Sequence, residues 1–302
     1  SSVTFNVTIN EDGDAAQFSL DGGVNNVTMQ KNGQRDFNYT NSSIADGSYT
    51  VRFYVNDTAG NFNRTARRAF TVDTTNPALT FVSPTESSGV YRNRNYIEVN
   101  VTATDTNLAN ITIRLYNGSH FLNQTNLSTT SPLYINYSSL TEGVYFYNAT
   151  ATDTVNNLNN SATRNITLDR TNPSAQFVSP TSANGTTITA VRNILINVTA
   201  TDTNLANITI NLYNSSFALL NSTLTTSSPN FVNISVASDG TYFYNATAID
   251  LALNANDTET RAIIVSLDIT PPLVTINSPS ANLTVSSVTF NVTINEDGDA
   301  AQ

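Results

Sequence analysis

The chain repeats its own beginning. Residues 1–17 and 286–302 are the same string, SSVTFNVTINEDGDAAQ, at an offset of 285 residues. Self-similarity at a fixed offset is the signature of repeat proteins, so we expect a window cut from a polymer of repeats with this period. A duplication within one finite chain is the alternative explanation. A repeating chain of this kind favours a fibre or a giant surface array over a catalyst.

A linker motif that runs from an aspartate to a proline divides the sequence into modules. It occupies residues 73–77, 169–173 and 268–272. This spacing leaves modules of roughly 95 residues, an ordinary size for a β-sandwich. The expected modules are 1–76, 77–172 and 173–271. Residues 272–302 then hold the first strands of the next unit's module, and 286–302 duplicate 1–17.

Each module carries one stretch in which apolar and polar residues alternate strictly. Its apolar positions are Val3, Phe5, Val7 and Ile9 in the first module, Ile97, Val99, Val101 and Ala103 in the second, and Ile194, Ile196, Val198 and Ala200 in the third. Alternation with a period of two predicts a half-buried strand whose Asn and Thr side chains face water.

The chain has no cysteine, so disulfides and Cys-ligated metals are excluded.

A further landmark consists of an acidic residue, a glycine, a variable residue and a tyrosine, directly before another alternating stretch. Its tyrosines are Tyr49, Tyr145 and Tyr242. A Gly-x-Tyr at this place resembles the tyrosine corner of immunoglobulin-like and fibronectin type III sandwiches, in which the phenol bonds back to the backbone.

Together these landmarks resemble the tandem Ig-like repeats of archaeal or bacterial cell-surface and surface-layer-associated proteins. The resemblance covers nearly the whole chain. It implies an all-β fold of three tandem Ig-like β-sandwich modules and an extracellular, cell-surface location. It supplies no catalytic residues, and we expect the protein not to be an enzyme.

The first module lacks its own leading strand. In the other two modules a short strand follows the linker and ends at Ser-Pro, and the matching stretch for the first module is residues 273–276. We expect residues 272–285 of a preceding unit to complete module 1–76, either within a continuous chain or by strand addition between subunits, which propagates head to tail. The expected inter-unit contacts are Leu273, Val274, Ile276, Val288, Phe290, Val292 and Ile294.

Asn-x-Ser/Thr sequons are the densest motif of the chain. Glycosylation at a sequon requires an exposed asparagine in a secreted protein. The best candidates for N-linked glycans are Asn110, Asn117, Asn148, Asn207, Asn214 and Asn245. The alternative is that Asn and Thr two residues apart share the solvent face of a strand, which creates sequons as a by-product of alternation.

Acidic groups recur near the module junctions. Calcium takes six to eight oxygen ligands, and the candidate ligands are Asp105 with Asn107 and Asp202 with Asn204. The alternative is ordinary turn chemistry, since Asp and Asn are common turn residues. No other cofactor is expected. Acid–base catalysis would need carboxylates buried in a cleft, and the pattern indicates neither.

Charge and hydropathy limit the classes of binding partner that the chain can have. The formal net charge is −10 and Lys31 is the single lysine, which argues against nucleic acid and anionic membranes. No apolar run approaches the ~18–20 residues that would span a bilayer. The expected partner is the chain itself, head to tail in a polymer.

The sequence therefore predicts a structural subunit or repeat segment of an extracellular filament or giant cell-surface glycoprotein. One alternative is the stalk of a cell-surface adhesin, and another is an array of carbohydrate-binding modules. Phe146 and Phe243 lie on the face opposite the core-directed tyrosines of their strands, and they are candidates for a lateral contact patch or for a sugar-binding platform. Cover by a neighbouring loop or by a glycan is the competing explanation for these two rings.

Overall fold

A computed structural model describes residues 1–278, 284, 287 and 289–294, and every regular element among them is a β-strand. The predicted all-β fold is therefore confirmed. Over the same residues no helix is long and apolar enough to cross a membrane. The chain divides into two compact units, Ser1–Asp169 and Arg170–Gln302.

Module one contains eight strands in two sheets. They are β1 (Val3–Thr8), β2 (Gly13–Ser19), β3 (Val27–Thr28), β4 (Gln30–Lys31), β5 (Asp36–Asn41), β6 (Gly47–Asp57), β7 (Phe62–Arg64) and β8 (Arg68–Val72). One sheet has the order β1-β5-β4. The other has the order β3-β2-β6-β7, and β8 also pairs with β6.

Module two contains nine strands. They are β9 (Ala78–Val82), β10 (Val90–Arg92), β11 (Ile97–Thr104), β12 (Leu108–Asn117), β13 (Leu122–Ser128), β14 (Leu133–Tyr137), β15 (Gly143–Asp153), β16 (Leu158–Asn160) and β17 (Arg164–Leu168). The smaller sheet has the order β14-β11-β9. The larger has the order β10-β17-β15-β12-β13, with β16 on β15.

Module three, in the second unit, repeats this topology. Its strands are β18 (Ser174–Phe177), β19 (Thr186–Ile188), β20 (Asn193–Thr201), β21 (Leu205–Tyr213), β22 (Leu219–Thr225), β23 (Asn230–Ser235), β24 (Gly240–Asp250), β25 (Ala255–Asp257) and β26 (Arg261–Val265). The sheets have the orders β18-β20-β23 and β19-β26-β24-β21-β22, with β25 on β24. Beyond it, β27 (Val274–Ser278) and β28 (Asn291–Ile294) form an antiparallel pair.

The core of each module lies between its two sheets and is filled by the alternating positions. In module two, Ile97, Val99 and Val101 of β11 face Ile111 and Ile113 of β12, and all five side chains are fully buried. A strand sends successive side chains to opposite faces, so the intervening polar residues are left toward solvent. Module three packs the same way around β20 and β21.

A glycine with positive φ precedes each of the three landmark tyrosines. Gly47, Gly143 and Gly240 have φ of 154°, 138° and 151°, values that favour glycine because it has no Cβ. Each tyrosine hydroxyl then donates to the carbonyl four residues earlier: Tyr49 to Ala45 at 2.9 Å, Tyr145 to Thr141 at 3.1 Å, and Tyr242 to Ser238 at 2.8 Å. The turn before β6, β15 and β24 is thus held in one conformation.

Candidate functional site: an open sandwich edge and a bonded module junction

In module two the leading strand fills one edge of the sandwich. β9 pairs with β11 and also contacts β15 and β16 of the opposite sheet. The ring of Phe81 meets Tyr147 edge-on at 5.6 Å, and the guanidinium of Arg164 lies 4.5 Å above the Phe81 ring. This strand therefore closes the core and also buries part of an arginine side chain.

Module three uses the same arrangement. β18 pairs with β20 and contacts β24 and β25. Phe177 meets Tyr244 at 5.3 Å, and Arg261 lies 4.6 Å above the Phe177 ring. A phenylalanine near the end of the leading strand, covered by an arginine, is a shared feature of both complete modules.

Module one has an open edge at the equivalent place. Within residues 1–278, β1 pairs with β5 on one side and with no strand on the other. A groove of about 460 Å³ lies along this edge, and its lining includes Val7, Ile9, Val55, Phe62 and Asn63. Val7 and Ile9 are only half-buried, whereas their counterparts Val101 and Ala103 are buried. The groove therefore occupies the place in module one that β9 fills in module two.

The pair β27–β28 has the register of a leading strand on its neighbour. Val274 lies opposite Ile294 and Ile276 opposite Val292, just as Leu79 lies opposite Ala103 and Phe81 opposite Val101. The predicted contacts on this pair are all exposed, with Ile276 at 66% and Phe290 at 76%. They are Leu273, Val274, Ile276, Phe290, Val292 and Ile294. Val288 lies outside the described residues.

The linker between modules one and two is bonded on both sides. From module one, Asp46 accepts hydrogen bonds from Thr74 N at 3.0 Å and from Thr75 Oγ1 at 3.0 Å. From module two, Asn107 Nδ2 donates to Asp73 Oδ2 at 2.7 Å, and Asn157 Nδ2 donates to Asp73 O at 3.0 Å. Such bonds restrict rotation about the linker and hold the two modules at a fixed junction.

Asn159 adds a third contact, because its Nδ2 donates to Pro77 O at 2.9 Å. Sequence reasoning did not identify Asn157 and Asn159, which are two residues apart on and before β16. The signal that could have found them is their recurrence in module one, where Asn61 and Asn63 stand at the matching positions around β7.

Three carboxylates meet at this junction. Oxygen atoms of Asp73, Asp105 and Asp153 lie within 4.8 Å of one another. Sequence reasoning named Asp105 as a calcium ligand but did not bring Asp153 to it. Asn107 is close by, yet its Nδ2 donates to Asp73 and its backbone N donates to Asp105 Oδ1 at 2.7 Å. Carboxylate oxygens are ligands that calcium prefers, and these three could supply part of its shell.

Asp153 is the buried member of the group. Burial acts to raise its pKa, but hydrogen bonds from the Asn157 side chain and from backbone amides outweigh it, so the pKa is lowered. The Asn157 side chain donates to Asp153 Oδ2 at 2.7 Å. In module three the candidate Asp202 accepts from the backbone N of Asn204 at 2.6 Å.

The sequon candidates lie in three settings. Asn117 and Asn214 precede hairpin turns, where each amide oxygen accepts two backbone N–H groups. Asn148 and Asn245 lie half-buried in mid-strand, and each Nδ2 donates to a threonine hydroxyl. Asn110 and Asn207 lie half-buried near the start of β12 and β21.

The two candidate sugar-binding aromatics are covered by residues of their own modules. His120 stacks on Phe146 with ring centroids 4.2 Å apart, and Phe217 stacks on Phe243 at 4.3 Å. Both covering residues are at hairpin tips with positive φ, 60° and 58°. One ring face of each candidate is thus occupied, which weakens the case for a sugar platform there.

Two family models match parts of the chain, and the second match runs from module two into module three. Residues 1–74 match the bacterial Ig-like domain family, and residues 129–213 match the bacterial Ig-like domain (group 3) family. The chain is a tandem array of Ig-like repeats. Halomucin of Haloquadratum walsbyi (strain DSM 16790 / HBSQ001) is 41% identical over 61 residues, which are 20% of this chain and 1% of halomucin. The matched stretch thus spans about 1% of the length of that relative.

The solved structures that resemble this chain are distant from it in sequence. The titin domains A168–A170 align with a TM-score of 0.43 at 11% identity, covering 89% of this chain and 94% of that one. The fibronectin(III)-like modules of CbhA from Clostridium thermocellum align with a TM-score of 0.38 at 17% identity, covering 63% and 95%. The Ig-like assignment rests on the strand order and the family matches, and such modules are typically structural.

Proposed function

We propose that this chain is a structural repeat segment of an extracellular filament or giant cell-surface glycoprotein, joined head to tail. One observation carries the proposal. β28 has the sequence of residues 6–9 in module one, and it pairs with β27 in the register of a leading strand. A leading strand followed by the first strands of module one is what continuation of the repeat requires, whether in one polypeptide or between subunits.

The junction between modules one and two supports a mechanical role. Four side chains, Asp46, Asn107, Asn157 and Asn159, bond to linker residues 73–77. Bending at this junction would break several of these bonds together, and each contributes about 0.5–1.5 kcal/mol. A series of such junctions resists bending and transmits load along the array.

The surface location draws on the family matches and on the halomucin likeness. A chain rich in Asn, Ser and Thr, with few charges and many sequons, also suits a glycosylated exterior. The proposal assigns no enzymatic activity to the array.

The test is electron microscopy of native material, with antibodies raised against this chain to label intact cells. We expect extracellular filaments with an axial repeat of roughly 100–120 Å, since each module is ~35–40 Å long from strands rising ~3.3 Å per residue. Boiling in SDS followed by mass measurement then separates a continuous polypeptide from stacked subunits. Label confined to the cell interior would overturn the proposal. Isolated rods with unrelated tips would favour an adhesin stalk instead.

A further inference from the structure

We propose that the open edge of module one is a strand-acceptor groove for residues 268–278 of another copy of this repeat. The inference rests on the proposed head-to-tail function and names the segment and the groove that would make the contact. Within residues 1–278, no strand covers the outer edge of β1, and β27 pairs with β28 rather than with β1. The repeat itself supplies an occupant of matching pattern, because residues 268–278 of another copy carry the linker and the leading strand that belong before module one.

The register follows from the repeat. Thr275 lies opposite Thr293, and Thr293 repeats Thr8 at the offset of 285 residues. The same pairing on module one places Thr275 opposite Thr8, Val274 opposite Ile9, and Ile276 opposite Val7. Main-chain hydrogen bonds to an unpaired edge supply the affinity of strand addition, and alternate side chains supply its specificity.

Ile276 would take the place in module one that Phe81 has in module two, with Val51 at the position of Tyr147. There Phe81 lies against Tyr147 and beneath Arg164, which is half-buried. The module-one counterpart of Arg164 is Arg68, which pairs with Val51 as Arg164 pairs with Tyr147 and is exposed. An apolar side chain inserted at this point would be covered by Arg68 and would remove its own surface from water.

Two asparagines of module one are placed to hold the incoming linker. Asn157 and Asn159 are half-buried and donate to the backbone carbonyls of Asp73 and Pro77. Their counterparts Asn61 and Asn63 are exposed and line the open groove. In the linker motif, Asp268 holds the position of Asp73, and Pro272 holds the position of Pro77. We therefore assign Asn61 to the carbonyl of residue 268 and Asn63 to that of residue 272.

Asn61 already shows half of this arrangement. Its Nδ2 donates to Asp57 Oδ2 at 2.7 Å, as Asn157 Nδ2 donates to Asp153 Oδ2 at 2.7 Å. The Asn61 side chain is thus oriented before any linker arrives. A preorganised donor loses little conformational entropy on binding, which favours capture of an extended segment.

The first experiment measures binding of a synthetic peptide to the full 302-residue chain. A fluorescent peptide of residues 268–278 is titrated and its anisotropy recorded. We expect saturable binding that weakens about 5-fold with Asn63→Ala, the loss of one hydrogen bond, and more than about 10-fold with Ile276→Asp in the peptide. Asn159→Ala is the matched control, since module two already holds its own leading strand, and it should leave binding unchanged.

The second experiment locates the peptide by disulfide trapping, which is clean because the chain has no cysteine. A peptide with Thr275→Cys should cross-link to a chain with Thr8→Cys. It should not cross-link to Thr4→Cys, which is four residues and about 13 Å along the same strand face. Thr102→Cys, paired with β9 in module two, should also stay free.

Two results would overturn the acceptor assignment. One is equal cross-linking at Thr4 and Thr8, and the other is trapping only at Thr293→Cys, which would mean that the peptide replaces β27 on β28. Either result leaves the head-to-tail proposal standing if the filament repeat is still observed. Intracellular label without filaments would remove the proposed function, even if the peptide binds module one.

Discussion

Removing the hydroxyl from each of two buried tyrosines of module two should change the free energy of unfolding in opposite directions. Tyr137 is 1% exposed, and its Oη has no hydrogen-bond partner within the part of the chain that the structure describes. Tyr147 is fully buried, and its Oη donates to Glu86 O at 2.8 Å. Replacing either residue by phenylalanine removes only the hydroxyl group and leaves the ring packing in place.

The magnitudes follow from what each hydroxyl contributes. A buried polar group without a partner costs about 1–3 kcal/mol, so Tyr137→Phe should raise the free energy of unfolding of module two by about 1 kcal/mol. Tyr147→Phe removes one bond, but Glu86 O still accepts Arg164 Nη1 at 2.8 Å, so its carbonyl is not left unpaired. That variant should lower the free energy of unfolding by about 0.5–1.5 kcal/mol.

Hydrogen exchange followed by mass spectrometry reads these changes module by module in the full chain. About 1 kcal/mol corresponds to roughly 5-fold in exchange rate, so β11 and β15 should exchange slower in Tyr137→Phe and faster in Tyr147→Phe. Tyr244→Phe is the matched control, because its hydroxyl donates to Ser182 O at 2.9 Å in module three, and it should leave module two unchanged. Faster exchange in both module-two variants would refute the argument, since the Tyr137 hydroxyl would then be satisfied.

Three further predictions concern pH, calcium and glycans. Burial raises the pKa of Tyr137 from 10.0 to about 12, so the unfolded chain loses this proton first and the free energy of unfolding falls as the pH rises from about 10 to 12. Urea unfolding of Tyr137→Phe should show a smaller fall over this range. The same fall in the wild type and the variant would contradict this. If Asp105 ligates calcium, the melting temperature of the wild type is higher in buffer with Ca²⁺ than in buffer with EDTA, and Asp105→Asn abolishes this difference. Equal melting temperatures of the wild type in both buffers would exclude the site. Glycopeptide mass spectrometry of native material should find more sugar on exposed Asn117 than on Asn207, whose Oδ1 is buried, and the reverse order would count against exposure as the determinant.

The sequence by itself was sufficient for the fold class and the strands of the core. Residues such as Ile97, Val99 and Val101 alternate with polar neighbours, and a strand turns successive side chains to opposite faces. This rule acts within a few residues, so it can be read without knowledge of the partner strand. The same locality applies to the glycine before Tyr145, whose positive φ belongs to a single turn.

The tertiary structure alone decided which distant residues meet. Asp73, Asp105 and Asp153 come from a linker, a loop and the end of β15, and their proximity depends on how β11, β12 and β15 are ordered and packed. The sequence predicted that module one lacks its leading strand, but the residues that line the resulting groove could be identified only once the two sheets were in place. Local periodicity assigns a face to each side chain, but the sheet order determines its neighbours, because strand pairing joins segments that are far apart in the sequence.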